Sequence, residues 1–176
     1  MKIYIKRFDK SLPLPTIIDK GDWIDLYAAK DTPCIHPSVG PRKRKMIHGI
    51  NYSTRDTVYN NYLIPLNVAM KLPKGFEAVV LPRSSTYNKF GIILANSQGV
   101  IDNTYQGNSD QWFFNAIAFK DAMIYKGNRI AQFRIQLSQK ATFWQKLKWL
   151  FSSKIEFVEV DNLSDNNRGG FGSTGK

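Results

Sequence analysis

Ile130-Ala131-Gln132-Phe133-Arg134-Ile135-Gln136-Leu137 is the stretch that decides the fold. From Phe133 onward apolar and polar side chains alternate with a period of two, the pattern of a strand with one dry face and one wet one. The same signature recurs elsewhere. Lys2 to Phe8 puts Ile3 and Ile5 on one face and Lys2, Tyr4 and Lys6 on the other. Phe76 to Leu81, Phe113 to Phe119 and Ile155 to Val160 are rich in β-branched and aromatic residues. Turn signals separate these runs: Pro73-Lys74-Gly75, Asn88-Lys89 before Phe90-Gly91, and Lys126-Gly127-Asn128. Many short strands and few helical stretches predict an all-β barrel or sandwich, and 176 residues suit a single domain.

One segment breaks the pattern. Between Thr142 and Ser153 the apolar residues Phe143, Trp144, Leu147, Leu150 and Phe151 fall at helical spacing, with Lys146 and Lys148 off that face. The spacing predicts a short amphipathic helix with Thr142 as N-cap, its apolar face packed on the barrel, with docking to a membrane or a partner as the sharper alternative. It lies in one of two apparent insertions, at about 31–60 and 138–154. Charge follows the insertions. The chain carries 25 Lys and Arg against 14 Asp and Glu, a formal net charge of +11. No acid interrupts Thr32 to Arg55, which holds Arg42, Lys43, Arg44, Lys45 and Arg55, and none interrupts Ala122 to Ile155. Such a balance favours polyanionic partners. The first basic cluster, beside Tyr52 and Tyr59, is expected to be a solvated loop, with a nucleic-acid or protein partner as the sharper alternative. One cysteine, Cys34, excludes an internal disulfide framework, and no apolar run has the roughly 20 residues of a membrane-spanning helix. A cytoplasmic protein is the expectation.

Five segments combine residues that a plain core does not need. Pro82-Arg83-Ser84-Ser85 closes an apolar strand with a guanidinium fork and hydroxyls, which suit phosphate oxygens. Asn96 to Gly107 sets two glycines around Val100-Ile101, one carboxylate and Tyr105, and predicts a hairpin with functional side chains at its tip. Asp102 there is either a general base in a partly dry site or the cap of a turn. Gly127-Asn128-Arg129-Ile130-Ala131-Gln132 is a tight turn into a strand. The tail Arg168-Gly169-Gly170-Phe171-Gly172-Ser173-Thr174-Gly175 can wrap phosphate with backbone N–H groups and lay an aromatic on a flat base. Asp22-Trp23-Ile24-Asp25-Leu26-Tyr27 adds acids in an early strand.

In order, these segments resemble the five motifs of the trimeric dUTP pyrophosphatase (dUTPase) family, over most of the chain apart from the two insertions. The resemblance implies a jelly-roll subunit spanning 1–160, a C-terminal arm from 161 to 176 that closes over the site, and a homotrimer whose sites are shared between subunits. It implies hydrolysis of dUTP to dUMP and pyrophosphate with Mg²⁺ carried by the triphosphate. By the same likeness Asp102 activates the attacking water, and Tyr105 floors the deoxyribose. Asn96 and the backbone of Gly99, Val100 and Ile101 read uracil. Arg83, Ser84, Ser85 and Gln132 contact phosphates. Phe171 covers the base while Arg168, Gly172, Ser173 and Thr174 hold the outer phosphates. Asp25 supports the metal through water or the subunit interface. The aromatic run Trp112-Phe113-Phe114 is expected to pack in the trimer core between subunits, with Phe113 as a second wall beside uracil the sharper alternative.

Two rivals remain. A dCTP deaminase shares the fold but needs a proton-shuttling Glu in the strand after Tyr105, and Trp112 to Ala118 has none. A regulatory or binding module would use the basic insertions instead.

Overall fold

The computed structural model describes residues 1–17, 21–151 and 154–170. Fourteen strands and two helices follow in the order β1 (Lys2–Arg7), β2 (Ile24–Tyr27), β3 (Thr32–Cys34), β4 (Ser38–Ile47), β5 (Ile50–Val58), β6 (Asn61–Pro65), β7 (Val68–Lys71), β8 (Phe76–Pro82), α1 (Thr86–Phe90), β9 (Ile92–Leu94), β10 (Gly99–Asp102), β11 (Phe113–Ala118), β12 (Ala122–Ile124), β13 (Arg129–Leu137), α2 (Phe143–Phe151) and β14 (Glu156–Glu159). They form small sheets around one core: β10-β8-β13-β2, β14-β1-β7, β6-β11-β9 and the pair β12-β3. The alternation seen in sequence is the cause. Ile3 and Ile5 of β1 and Phe133 and Ile135 of β13 are buried, while Lys2, Tyr4, Lys6, Gln132, Arg134 and Gln136 beside them are not. Trp112 and Phe133 meet edge to face at 5.2 Å at the centre, and Phe133 meets Phe157 of β14 at 6.1 Å.

The C-terminal strand sets the path of the tail. β14 runs parallel to β1, locked by a bidentate Arg7–Glu159 pair (Nε–Oε1 2.7 Å, Nη2–Oε2 3.0 Å). The Val160 N–H then donates to the Ile5 carbonyl at 2.9 Å, so the chain leaves the barrel beside Lys6.

Three expectations change. Asn88-Lys89 is not an open turn: it lies inside α1, which ends at Gly91 in the left-handed region (φ 62°). The first insertion is no loop. Ser38 to Val58 folds as a two-stranded ribbon, β4 against β5, joined by His48-Gly49 with both φ positive (50° and 76°), as a type I′ hairpin turn requires. The α2 helix forms where its spacing predicts, and Thr142 caps it reciprocally with Gln145: the Gln145 N–H donates to Thr142 Oγ1 at 3.3 Å, and the Thr142 N–H to Gln145 Oε1 at 2.8 Å. Its orientation is the reverse of the expected one. Trp149 packs on Phe76 at 5.2 Å and Gln145 reaches the Lys74 carbonyl, while Phe143, Trp144, Leu150 and Phe151 face out. Of the five apolar residues on the expected face, only Leu147 is part-buried.

Candidate active site

The segment Asn96 to Gly107 is a corner between two sheets, which corrects the hairpin expected from its glycines. β9 before it pairs with β11, and β10 after it pairs with β8. Ser97 makes the turn with φ 55°, its N–H on the Leu94 carbonyl at 3.1 Å. β10 is therefore an edge strand, and the side of Gly99–Asp102 turned away from β8 has backbone donors and acceptors without a strand partner among the described residues. Where the sheets part there is a cavity of about 230 Å³. It is lined by Asn96, Gly99 to Asp102, Tyr105, Phe113 and Asn115, with Arg168 to Gly170 at its mouth. That is below the roughly 300–1,000 Å³ of pockets that enclose a drug-sized ligand, and suits a base and sugar better than a whole nucleoside triphosphate.

Asp102 closes the corner. Its Oδ1 accepts from the Thr104 N–H at 2.8 Å and the Thr104 hydroxyl at 2.5 Å, and its Oδ2 accepts from Arg168 Nη1. It is thus both the turn cap and an available carboxylate, with 43% of its side chain exposed. Partial burial acts to raise its pKa, but the Thr104 bonds and the Arg168 charge outweigh burial and hold the carboxyl below its ordinary value. Tyr105 is half-buried, its hydroxyl donating to the Gln111 carbonyl at 2.8 Å. Burial, with the charge of Asp110, pushes this phenol up, so it stays protonated as a donor. Gly170 lies flat against the ring: a Cβ there would sit 3.3 Å from Tyr105 Cε2.

The start of the tail is held by residues that sequence reasoning passed over. Asp110, 1% exposed, accepts from the N–H groups of Gly107 (2.8 Å), Arg168 (3.0 Å) and Gly169 (3.0 Å). Asn108 accepts the Leu163 N–H at 2.8 Å, and Asn167 accepts the Ser109 N–H at 2.7 Å. Gly107 lets this happen, since a Cβ there would come within 2.3 Å of Asn167 Oδ1 and 2.6 Å of its backbone Cα. Asn115, on the cavity wall, has a buried Oδ1 with no hydrogen-bond partner among the described residues. Phe171, Gly172, Ser173 and Thr174 lie outside the described residues.

The remaining candidates gather elsewhere. Pro82 ends β8, and Arg83 to Ser85 lead into α1, pinned by buried Thr86, whose hydroxyl donates to the Ile130 carbonyl at 2.8 Å. Asp25 of β2 accepts from Arg83 Nε (2.6 Å) on one oxygen and from Arg129 Nη1 (3.1 Å) on the other. Ser84 is exposed, and Gln132 lies opposite Asp25 on β13, its amide 3.5 Å from the Pro82 carbonyl. The ladders measure the gap between the two groups. Asp102 sits opposite Glu77 at one end of β8, whereas Arg83 follows the other end, six residues on and roughly 20 Å away at strand rise. Among the described residues no group of three or more His, Cys, Asp or Glu side chains could hold a metal ion. His36 hydrogen-bonds Asp121 at the surface and His48 is in the ribbon turn.

Small twisted sheets on one core, with functional side chains at a sheet corner and a strand end, define an all-β protein rather than a doubly wound nucleotide binder. The family model for dUTPase matches residues 51–175, and the chain belongs to the dUTPase family. It is 42% identical, over 99% of both chains, to the SPbeta prophage-derived deoxyuridine 5′-triphosphate nucleotidohydrolase YosS of Bacillus subtilis. It is 30% identical, again over 99% of both, to a deoxyuridine 5′-triphosphate nucleotidohydrolase of Hydrogenobaculum. Among solved structures, a dUTPase from Streptococcus mutans superposes with TM-score 0.58 at 19% identity, covering 78% of this chain and 98% of its own. A Staphylococcus bacteriophage 80alpha dUTPase variant with dUpNHpp superposes with TM-score 0.57 at 17% identity, covering 99% and 98%. No helix among the described residues is long and apolar enough to cross a membrane.

Proposed function

We propose that this chain hydrolyses dUTP to dUMP and pyrophosphate, keeping uracil out of DNA and supplying dUMP for thymidylate synthesis. The observation that carries the proposal is the corner cavity, where an unpartnered strand edge, a carboxylate and a fixed aromatic ring converge. The β10 edge and Asn96 read the uracil edge, because backbone N–H and C=O groups offer a fixed donor and acceptor pattern. Tyr105, immobilised by Gln111, lies under the deoxyribose and leaves no room for a 2′-hydroxyl. Phe113 forms a second wall to the base, and Phe171 from the arm its cover.

Asp102, ionised at neutral pH, accepts a proton from water as that oxygen bonds to the α-phosphorus. The bond from phosphorus to the β-bridging oxygen breaks, and pyrophosphate leaves with the electron pair. Thr104 fixes the carboxylate's direction. Arg83, Ser84, Ser85 and Gln132 hold phosphate oxygens, and Arg168, Gly172, Ser173 and Thr174 hold the outer ones. Mg²⁺ fits as a counterion carried by the triphosphate, offsetting its charge; the described carboxylates form no cage for it, and Asp25, already bridging two arginines, reaches it through water at most.

The roughly 20 Å along β8 between Asp102 and Arg83 supports sites shared between subunits, for one chain's strand end cannot reach the phosphorus served by its own Asp102, and a homotrimer is the assembly that the family likeness implies. The lack of any Glu in β11 speaks against a dCTP deaminase. The test is pyrophosphate release from dUTP, dTTP, dCTP and UTP with Mg²⁺, beside Asp102→Asn. Selective cleavage of dUTP, reduced at least about 100-fold in the variant, is expected. No cleavage by the folded protein would leave the site as inherited scaffold.

A further inference from the structure

The β4–β5 ribbon takes no part in the site described above. Among the described residues its strands pair with each other and with no other strand, and every residue but Gly40 is exposed from Ser38 to Val58. At about 3.3 Å per residue it reaches roughly 30 Å. A bulge at Gly40-Pro41, between Val39 and Arg42, separates its base from its outer part.

The outer register sorts the charges by face. Arg42 lies opposite Arg55, Arg44 opposite Ser53 and Met46 opposite Asn51, and these alternate pairs share one face. The other face carries Lys43 with Thr54, Lys45 with Tyr52, and Ile47 with Ile50. Lys43 is neutralised by Asp56 on its own face. The guanidiniums of Arg42, Arg44 and Arg55 have no ion pair or hydrogen bond among the described residues. Like charges directly opposite each other destabilise an isolated ladder, so the Arg42–Arg55 pair weakens the ribbon unless an anion lies across both.

We propose that the arginine face of this ribbon, Arg42, Arg44 and Arg55, binds double-stranded DNA by entering its major groove. The complementarity is of charge and of shape. A row of unpaired guanidiniums meets phosphates, and a two-stranded ribbon fits the roughly 12 Å width of the B-form major groove. The A-form major groove is too deep and narrow for it, and a single strand offers no groove. Ser53 and Asn51 supply hydrogen-bonding groups on the same face. The hydrolytic reaction is not required for this binding, so the two readings stand or fall separately.

The test is fluorescence anisotropy of a labelled 30-base-pair DNA of arbitrary sequence with the full-length protein. Three neutralised phosphates predict an affinity that falls about 40-fold between 50 and 200 mM salt. Ser38 and Val58 are register partners, so excising the ribbon and bridging its ends with two glycines should leave the barrel and dUTP turnover intact while abolishing DNA binding. Arg42→Glu/Arg44→Glu/Arg55→Glu in the intact chain should do the same, and Lys43→Glu/Lys45→Glu should cost under tenfold. Duplex RNA and single-stranded DNA should bind at least tenfold more weakly. No binding at 50 mM salt, unchanged binding after excision, equal losses from reversing either face, or equal affinity for RNA duplex would each overturn the proposal.

Discussion

The corner at Asn96–Phe113 and the strand end at Arg83–Ser85 carry similar chemistry and are finished to different degrees. At the corner a carboxylate, a ring and a strand edge surround a cavity, and the chain's own tail is tied across its mouth through Asp110, Asn108 and Asn167. At the strand end the arginines are bridged on Asp25, Ser84 is exposed, and nothing of the same chain's corner is within reach. Recognition of a flat base needs a rigid enclosure that one chain can build. Gripping a triphosphate needs exposed donors that another copy can bring.

The sharpest way to break this division is by mixing defects. Asp102→Asn and Arg83→Ala should each lose at least about 100-fold in turnover while still assembling. If corner and strand end come from different chains, co-assembled mixtures of the two inactive variants should recover up to about a quarter of wild-type activity, because some shared sites then contain neither defect. Mixtures as inactive as their components would place both halves in one chain.

The next largest effect concerns the tail. Replacing Asp110 with Ala strips three N–H groups of their acceptor, each worth about 1–3 kcal/mol when left buried and unpaired. Part of that is relieved by release of the Arg168–Gly169 segment to water. The expected outcome is a fall of tenfold or more in kcat/KM for dUTP and protease cleavage beyond Leu163, with the oligomer intact by light scattering. Retained protection of the tail would mean Asn108 and Asn167 suffice to dock it.

Phe113→Ala separates base contact from packing at the same corner. The side chain lines the cavity, so its loss should raise KM for dUTP about tenfold with little change in kcat. An unchanged KM in an intact oligomer would return Phe113 to the subunit interface.

These regions were unequally legible in the sequence. β1 and β13 announce themselves because one face is buried and the other wet. Asp102 stands out as a lone carboxylate between apolar residues and a tyrosine. The β4–β5 ribbon has no buried face, so its alternation is of charge against polarity and looks like a basic loop; His48-Gly49 at its centre was the available signal. The five apolar residues of α2 mark a helix correctly, but periodicity cannot tell which neighbour a face meets, and here most of that face meets none. Asp110 sits in Asn108-Ser109-Asp110, a run indistinguishable from turn chemistry until the tail that it holds is brought 58 residues back to it.

The finest distinction is in pH dependence. Thr104 and Arg168 both hold the Asp102 pKa down, against the opposing effect of partial burial. A lowered pKa means the base is ionised, and the enzyme competent, down to a lower pH; removing either partner should move the acid limb of activity to higher pH. The two should differ in which rate constant moves. Thr104 is part of the turn and holds Asp102 with or without substrate, so Thr104→Val should shift the limbs of kcat/KM and kcat together. Arg168 belongs to the tail, and an outer phosphate competes with Asp102 for its guanidinium once dUTP binds. Arg168→Ala should then shift the limb of kcat/KM, which reports the free enzyme, and leave that of kcat in place. Equal shifts in both would mean that Arg168 stays on Asp102 through turnover, making the tail part of the corner in the bound state as well as the free one.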